Sequence, residues 1–341
     1  MATQRLIHAI PVEIQQVDRL NFSRATLQPG VSLHRAVGPL ARKVAECAKF
    51  LPIRPGFVST HLIIVDQSEY LTALDKRLVA AGTERVKPKS EFIDLHGITR
   101  QVLIAVTLLG RGAWTFGGNH MFDHSDPSLP YASAGYSHRP TEGVGALLRY
   151  SATSGWFVNI RARDLRTTCE QLDRYYRHGS WWVDRLSVAL GYLWSGLTSP
   201  HPELAFVAFC TSLEAIASTS QNEITHILAE RCAVLVHRPG LERVAMYAQI
   251  KDLYALRSKI VHGRSAPRKG PVNWETLAIT AKQSLVPRSE VVKLLGVTIQ
   301  VLNSVLARPQ LLELLHVRRS EEKASEAMNH YFLHLLLRGE A

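Results

Sequence analysis

The sequence predicts two successive domains, an α+β domain over residues 1–160 and an all-α domain over residues 161–341. Glycine, proline and aromatic residues are frequent in the first part, where short apolar segments alternate with turn signals. From Arg163 to Arg338 the apolar residues recur at helical spacing instead. The change of pattern places the domain boundary between Asn159 and Arg163.

Short apolar segments and turn residues define the expected elements of the first domain. Residues 37–50 and 68–81 have the pattern of helices. Residues 61–65 (HLIIV) and 102–109 are short and apolar, which indicates strands or other short buried elements. Between residues 117 and 141, a Gly-Gly pair and several X-Pro pairs predict a loop.

One part of this loop, with the sequence NHMFDHSD, has the residue types of a metal site. His120, Asp123, His124 and Asp126 offer nitrogen and oxygen ligands that suit a divalent cation. Metal sites usually also need a rigid scaffold and further ligands, and polar surface loops of this composition are common. We therefore expect a solvated loop here, with no metal and no cofactor.

The overall charge favours a polyanionic partner. The chain has 40 Lys and Arg against 29 Asp and Glu, a formal net charge of +11 at pH 7. A basic protein attracts the phosphate backbone of nucleic acids. This excess of positive charge is compatible with RNA as a partner, although many basic proteins bind no nucleic acid.

Cysteine spacing and hydropathy indicate the compartment. Cys47, Cys169, Cys210 and Cys232 form no C-x-x-C pair, which argues against a zinc site or a redox motif. The N-terminus lacks a signal-peptide pattern, and the longest apolar run, 102–109, is far shorter than a membrane span. These observations predict a cytoplasmic protein with reduced thiols and no membrane partner.

Two apolar helices precede the region of greatest interest. Residues 206–217 (FVAFCTSLEAIA) predict a core-facing helix with Glu214 beside its apolar stripe. In the next helix, Arg231 lies on the apolar face, where an unpaired charge is unfavourable. Glu214 is the expected partner of Arg231, either as a structural ion pair or to orient the helix that carries Arg257.

The run at residues 253–263 (LYALRSKIVHG) combines an arginine and a histidine near the end of a predicted helix. The planar guanidinium of Arg257 fits a phosphate, and His262 can transfer protons near neutral pH. Five positions separate them, so one copy of the helix would not bring both to one phosphate, whereas two copies across a dimer axis could. Basic residues in the last turn and Gly263 after it also fit ordinary C-terminal capping.

Three stretches, in this order and at this spacing, resemble the HEPN superfamily and within it the Apea-like branch of bacterial domains. They are residues 206–217 (FVAFCTSLEAIA), 223–236 (EITHILAERCAVLV) and 253–263 (LYALRSKIVHG). With the flanking helices, the resemblance covers roughly the C-terminal half of the chain. It implies that the all-α domain is a HEPN-like helical bundle.

The resemblance also implies an activity, that of a metal-independent endoribonuclease. The ribose 2′-oxygen would attack the adjacent phosphate, giving a cyclic phosphate and a free 5′-hydroxyl. His262 would act as general acid and base, and Arg257 would stabilise charge on the phosphoryl oxygens. The family implies a homodimer with a composite active site, no cofactor, and RNA, with tRNA the suggested target. It further implies anti-phage defence by abortive infection, with the N-terminal domain sensing a phage-derived trigger.

Several residues are expected to support this site. Ser258 follows the arginine, at a position where the family often has a contributing polar residue, and Lys259 is a further candidate for phosphate contact. Tyr254 shares a helix face with Arg257 and is placed to contact the substrate or brace that side chain. Arg264 begins a basic loop suited to a phosphate backbone. The complete supporting set is Glu214, Arg231, Tyr254, Ser258, Lys259 and Arg264.

Two alternatives remain open at this point. In the first, the helical domain keeps the fold without the chemistry and is a non-catalytic module that binds RNA or protein. In the second, the protein is a metal-dependent nuclease that uses the NHMFDHSD loop. Substitution of His262 tests the non-catalytic module against the ribonuclease, and activity in EDTA tests the metal-dependent nuclease.

Overall fold

The computed structural model of this chain describes residues 6–14, 20, 22–48, 60–80, 94–110, 114–116, 119–123, 130–134, 159–175, 184–199, 201–219, 224–237, 239–262, 286–316 and 321–338. The described residues divide into two compact units, of which the first ends at Arg174 and the second begins at Tyr175. The first unit combines a sheet with helices, and the second is helical. The prediction of an α+β part followed by helices is therefore confirmed.

The first unit contains an antiparallel sheet. Its strands are β1 (Leu6–Ile14), β2 (Arg24–Gln28), β3 (Val31–Arg35), β4 (His61–Asp66), β5 (Trp114–Phe116), β6 (Asn119–Asp123) and β7 (Pro130–Ala134). The strand order is β2-β3-β4-β1-β6-β7, and β5 also pairs with β1. The helices of this unit are α1 (Pro39–Ala48), α2 (Gln67–Ala80), α3 (Leu95–Gly110) and α4 (Ala162–Tyr175).

Strand β1 lies at the centre of this sheet. One edge pairs with β4, and the other pairs with β6 over Leu6 to Ala9 and with β5 from Val12 onward. Pro11, which has no N–H to donate, lies where β1 changes partner from β6 to β5. Ile10 in the same strand is fully buried. The sequence of a central strand that is buried on both faces is a nearly continuous run of apolar residues.

Several elements of this unit agree with the sequence patterns. Helices α1 and α2 and strand β4 lie where residues 37–50, 68–81 and 61–65 predict them. The run 102–109 is buried as expected but belongs to helix α3, so a strand is wrong there. Almost every residue of α3 is buried, and a helix without a polar face cannot be told from a buried strand by periodicity.

The loop predicted over residues 117–141 is wrong in part, because it contains strands β6 and β7. Each strand has only five residues. Pro130, read as a turn signal, is the first residue of β7, which lies at one edge of the described sheet. Proline is tolerated there because an edge position can lack one donor.

Helix α4 belongs to the first unit, so the division between the units falls after residue 160, where the sequence pattern had placed it. The Gln101 side chain of α3 donates a hydrogen bond of 3.1 Å to the carbonyl oxygen of Cys169 in α4. Arg166 Nε of α4 donates one of 2.9 Å to the carbonyl oxygen of Thr26 in β2. The helical spacing of apolar residues thus begins inside the first unit. This spacing alone does not show whether a helix packs on the core of the first unit or of the second.

The second unit is built around one helix. Its helices are α5 (Arg185–Thr198), α6 (Pro202–Ala217), α7 (Ile224–Val236), α8 (Leu241–Val261), α9 (Arg288–Leu306), α10 (Pro309–His316) and α11 (Glu321–Arg338). Helix α6 packs against α5, α7, α8 and α9. Phe206 and Phe209 of α6 are fully buried, which explains why this segment has so few polar residues.

Close approach of α5 and α6 depends on Gly196. A Cβ atom at this position would overlap the ring of Phe209, so a larger residue would force the helices apart. The Ser212 hydroxyl of α6 donates a hydrogen bond of 2.8 Å to the carbonyl oxygen of Ala189 in α5. At the start of α5, the Asp184 carboxylate accepts a hydrogen bond of 2.7 Å from the Ser187 amide. These contacts fix one side of α6, which carries Glu214 near its end.

Within the described residues, one segment, Ser289–Leu306 of α9, is long and apolar enough to cross a membrane. In the structure, 61% of this segment is buried inside the protein. A helix at the core of a soluble protein has the same composition. The segment therefore carries no separate argument for a membrane.

Candidate active site

Arg257 lies on the inward face of α8. Helix α8 buries Met246, Ile250, Leu253 and Tyr254, which recur at three- and four-residue spacing. Arg257 continues this spacing one turn later, and only 27% of its side chain is exposed. The guanidinium is therefore held between α8 and α6, which is one of the helices against which α8 packs.

Glu214 of α6 meets Arg257 at this position. Its Oε1 atom lies 3.5 Å from Arg257 Nη2 and also accepts a hydrogen bond from the Tyr254 hydroxyl. The Arg257 guanidinium carbon lies 5.5 Å from the centre of the Tyr254 ring. Tyr254 therefore contacts Arg257, and the three side chains form a cluster that we call the Glu214 cluster.

Two ionisable side chains near the Glu214–Arg257 ion pair, Tyr254 and Cys210, are uncharged. Burial, together with the hydrogen bond to Glu214, raises the pKa of Tyr254, so its hydroxyl stays protonated and donates. Burial also raises the pKa of the nearby Cys210 thiol, which stays neutral. Arg257 Nε is buried and has no hydrogen-bond partner among the described residues. The buried Nε–H group of Arg257 is thus not used in its contact with Glu214.

His262 occupies a different environment at the end of α8. It is the C-cap residue, with φ −87° and ψ 8°, and its backbone N–H donates a hydrogen bond of 3.1 Å to the carbonyl oxygen of Ser258. The residue is exposed. Its exposed side chain can therefore meet a ligand directly.

The structure does not bring Arg257 and His262 together within one copy of the chain. Their separation of five residues corresponds to about 140° around the helix axis and about 7.5 Å along it. Arg257 faces α6, whereas His262 lies on the side of α8 that faces solvent. One protomer therefore presents the phosphate-binding cation and the proton-transfer group in different directions, as the spacing predicts.

A continuous strip of α8 is exposed on the same side as His262. Its members are small, apolar or charged residues at helical spacing: Leu241, Val244, Ala245, Ala248, Lys251, Asp252, Ala255, Ser258, Lys259 and His262. Leu241 is 89% exposed and Val244 is 63% exposed. We call this surface the α8 strip. Ser258 and Lys259, predicted to contact phosphate, are both exposed on it.

Arg231 does not pair with Glu214, so the predicted partnership is wrong. Arg231 Nη1 donates to the carbonyl oxygen of Ala217 at 2.8 Å and to Thr219 Oγ1 at 2.9 Å. Nη2 donates to Asn329 Oδ1 of α11 at 2.5 Å. The last carbonyls of a helix lack intrahelical partners, and together with the helix dipole they attract a buried cation. Arg231 therefore caps the end of α6, and burial lowers its pKa from the usual arginine value.

A second arginine at this helix end was not identified from the sequence. Arg185 Nε donates to the carbonyl oxygen of Ala215 at 2.8 Å, and Arg185 Nη2 donates to that of Ser218. The sequence does contain an indication that this helix end needs donors from elsewhere, because the last turn of α6 has no basic residue of its own. A helix end of this kind calls for donors from other helices. Arg231 and Arg185 supply them, which leaves Glu214 available to Arg257.

The remaining predicted positions are only partly described. Arg264 lies outside the described residues, as do His124 and Asp126 of the NHMFDHSD segment. The backbone of His120 and Asp123 lies in strand β6 rather than in a loop. Among the residues that the structure describes, no group of three or more histidine, cysteine, aspartate or glutamate side chains is arranged to hold a metal ion.

Comparison of the chain with protein-family models, with curated proteins and with solved structures finds no match. The residues of the site therefore carry the functional argument.

Proposed function

We propose that the second unit is a metal-independent endoribonuclease of the HEPN type. The observation that carries this proposal is the disposition of two groups on α8, a partly buried arginine held by Glu214 and an exposed histidine one turn later. Arginine binds phosphate through a rigid fork of donors, and histidine transfers protons near neutral pH. Together they supply what cleavage of a phosphodiester by its own 2′-oxygen requires.

Each group has a defined part in this reaction. A histidine takes the proton of the ribose 2′-hydroxyl as its oxygen attacks phosphorus, and the P–O5′ bond breaks. The products are a 2′,3′-cyclic phosphate and a 5′-hydroxyl, whose oxygen receives a proton from a general acid. The Arg257 guanidinium stabilises negative charge on the non-bridging oxygens. Glu214 is a positioning residue, because it holds Arg257 and does not meet the reacting atoms.

A homodimer would bring the two groups to one phosphate. The α8 strip is exposed along five turns of helix and has alanines near its centre, which allow another helix to approach closely. Pairing of two copies along this strip would place the exposed His262 in the contact between them, and the composite site further requires that the Arg257 guanidinium, which faces α6, is reached from the other copy. The proposed site is therefore composite, with Arg257 and His262 supplied by different copies.

The biological setting is part of the same proposal. The formal charge of +11 favours RNA as the substrate, with tRNA as a candidate. An unrestrained ribonuclease damages its own cell, so the first unit is proposed to sense a phage-derived trigger and restrain the nuclease in the cytoplasm. This assignment rests on analogy with HEPN-type defence proteins.

Incubation of the full chain with total tRNA and mRNA in EDTA tests the activity. We expect the wild-type protein to cleave RNA and leave cyclic-phosphate ends, and His262→Ala to lose cleavage while keeping RNA binding. His330→Ala is the matched control, because His330 is an exposed histidine on α11. Activity that requires a divalent metal, or survives His262→Ala, would overturn the proposed mechanism.

The contact between Glu214 and Arg257 also favours a second function, a non-catalytic module that binds RNA or protein. An arginine whose charge is already balanced by a carboxylate can serve as a structural element that joins α6 to α8. This function predicts RNA binding without cleavage by wild type and by His262→Ala alike. The same assay with a gel-shift measurement separates the two functions.

A further inference from the structure

The first unit has an open cleft on one face of its sheet. The cleft encloses about 440 Å³, within the range of roughly 300–1,000 Å³ that small-molecule sites usually have. It is bordered by β1 to β4, by the segment leading into α1 and by the start of α2. Its described lining residues are Ile7, Arg24, Thr26, Gly30, Val31, Ser32, His34, Arg35, Val37, Leu40, Leu62, Ile64, Asp66 and Glu69.

The register of the strands shows why the cleft differs from the other face of the sheet. Arg24 pairs with His34, and His34 pairs in turn with Leu62, so these side chains share one face. On the opposite face, Leu33 and Ile63 are fully buried. The cleft face is therefore the less apolar side of the sheet, and it is only partly covered by α1.

The first end of the cleft is polar and cationic. Arg24 is exposed, and the structure gives its side chain no hydrogen bond or ion pair with any described residue. His34 lies directly opposite Arg24 in the register and shares a hydrogen bond of 2.8 Å between its Nε2 and Ser32 Oγ. Burial and the charge of Arg24 lower the pKa of His34, so its imidazole is neutral at pH 7. This end thus offers Arg24 and neutral hydrogen-bonding groups, and Arg35 also lines the cleft, a combination that suits a phosphate.

The middle of the cleft is apolar. Leu62 and Ile64 alternate along β4, and Ile64 pairs across the strand with Ala9. Leu40 of α1 packs against this group of residues, which has Ala9, Val44 and Leu62 at its core. Leu62 is buried beneath α1, whereas Ile64 and Leu40 are partly exposed, so a flat or apolar ligand body would lie against Ile64 and Leu40 and exclude water from them.

The far end of the cleft is acidic. Asp66 ends β4, and its Oδ1 atom accepts a hydrogen bond of 3.1 Å from the Glu69 amide at the start of α2. Glu69 is exposed. Four residues of strand separate Asp66 from Leu62, a length of about 13 Å. Gly30 adopts φ +75° beside this end, and a Cβ there would lie 2.5 Å from the Tyr70 amide nitrogen, so only glycine fits this wall.

We propose that this cleft binds a nucleoside monophosphate whose base carries an exocyclic amine. The phosphate would lie at Arg24, the base against Ile64 and Leu40, and the amine at the acidic end. A nucleotide combines the three chemistries in the order that the cleft presents them, an anion, a flat body and a donor. This inference concerns the first unit alone and does not depend on the ribonuclease proposal.

Isothermal titration of the full chain with AMP tests the site, with adenosine and inorganic phosphate as partial ligands. We expect AMP to bind at least tenfold more tightly than either one, because each lacks one half of the contacts. Arg24→Met should weaken AMP binding about tenfold, the usual effect of losing a hydrogen bond to a charged group. Arg42→Met on α1 removes an exposed charge outside the cleft and should leave binding unchanged.

Two further variants test the geometry and guard against misfolding. Thr26→Trp fills the cleft without changing its charge and should abolish AMP binding, whereas the thermal melting temperature should stay close to that of wild type because Thr26 is exposed. Glu69→Gln should reduce the preference for AMP over IMP, in which a carbonyl replaces the amine. Absence of AMP binding, or binding unaffected by both Arg24→Met and Thr26→Trp, would overturn the proposal.

Discussion

Glu214 Oε1 of α6 lies 3.5 Å from Arg257 Nη2 of α8, so the arginine of the proposed active site is also part of the contact between two core helices. Glu214 and Arg257 are 21% and 27% exposed, so water screens their interaction only partly. Tyr254 donates to the same carboxylate oxygen. Any change to one of these groups therefore affects both the packing of α6 on α8 and the direction of the guanidinium.

Glu214→Gln is the first test of this relationship. The substitution keeps the shape of the side chain and removes the charge that balances a largely buried guanidinium. We expect the free energy of unfolding to fall by about 1–3 kcal/mol, less than for a fully buried pair because both groups retain some solvent contact. Urea denaturation measures this change. Glu326→Gln, at an exposed position of α11, is the matched control and should have almost no effect.

A double-mutant cycle separates the pair from the rest of the helix contact. Arg257→Met retains the aliphatic packing of the side chain and removes its charge. If the two groups interact as the structure indicates, the double variant will be more stable than the sum of the single losses implies. Strict additivity would contradict the contact between Glu214 and Arg257.

Tyr254→Phe should change how stability depends on alkaline pH. Burial and the bond to Glu214 raise the pKa of Tyr254 in the folded state above its ordinary value of 10.0. The stabilisation from this shift is therefore complete below pH 10 and is lost as the pH rises from there through the folded-state pKa. Between these limits, stability should fall less steeply with pH in Tyr254→Phe than in wild type, as measured by urea denaturation.

An absorbance titration gives an independent check on Tyr254. In the folded wild-type protein, Tyr254 should titrate with a raised pKa. This step should be missing from the titration of Tyr254→Phe. If the Tyr254 hydroxyl were solvated and not bound to Glu214, the step missing from Tyr254→Phe would lie near the ordinary tyrosine pKa of 10.0.

The cluster illustrates what the sequence could predict and what it could not. Arg257 continues the inward spacing of Leu253 and Tyr254, so the sequence places Tyr254 either to contact the substrate or to brace Arg257, and in the structure the Tyr254 ring centre lies 5.5 Å from the guanidinium carbon. An unpaired charge on an apolar helix face is unfavourable, and this rule calls for a partner for Arg257 as well as for Arg231. It could not say which acceptor each arginine would meet, because that depends on where the end of α6 lies. There the free carbonyls of Ala217 and its neighbours take Arg231.

Helix α3 shows a second limit of sequence patterns. Thr99, Arg100 and Gln101 are polar by type and yet almost completely buried, so composition does not mark an exposed side for this helix. The short strands β6 and β7 could not be predicted either, since their sequences contain turn residues. The pairing of β6 with β1 and of β7 with β6 decides their structure, and local propensity does not report it.

His61 should make the protein less stable at acidic pH. Its side chain is completely buried, and burial, reinforced by the charge of Arg35, lowers its pKa from 6.5 to about 4. Between these values the unfolded chain binds a proton that the folded chain excludes. Stability is therefore lost progressively as the pH falls from 6.5 to 4, by about 2–3 kcal/mol in total.

Denaturation of His61→Gln across the same pH range isolates this contribution. The variant has no imidazole to titrate, so its stability should vary less between pH 6.5 and 4, whatever its stability at neutral pH. The His34→Gln variant should change the slope by a smaller amount, since the pKa of His34 is lowered by partial burial. Equal slopes in wild type and His61→Gln would show that the unfolding transition is not linked to this group.

The α8 strip gives the last prediction, which concerns assembly. Ala248 lies near its centre and is exposed, so Ala248→Glu adds a charge without disturbing the inward face of α8. If two copies pair through this strip, like charges will face each other across the two-fold axis and destabilise the pair. Sedimentation should show a dimer for wild type and a monomer for Ala248→Glu, with cleavage of RNA reduced in parallel. Ala45→Glu, at an exposed alanine of α1, is the control and should remain a dimer.

Complementation then decides whether the site is composite. Arg257→Met and His262→Ala should each be inactive alone. If the site is composite as proposed, a mixed dimer combines the intact His262 of one copy with the intact Arg257 of the other, so mixing the two variants should restore part of the activity. A site complete within one copy could not be restored in this way, because each protomer would still lack one of its two groups. Recovery of cleavage on mixing, and its absence when Ala248→Glu is added to both variants, would tie the chemistry of Arg257 and His262 to pairing through α8.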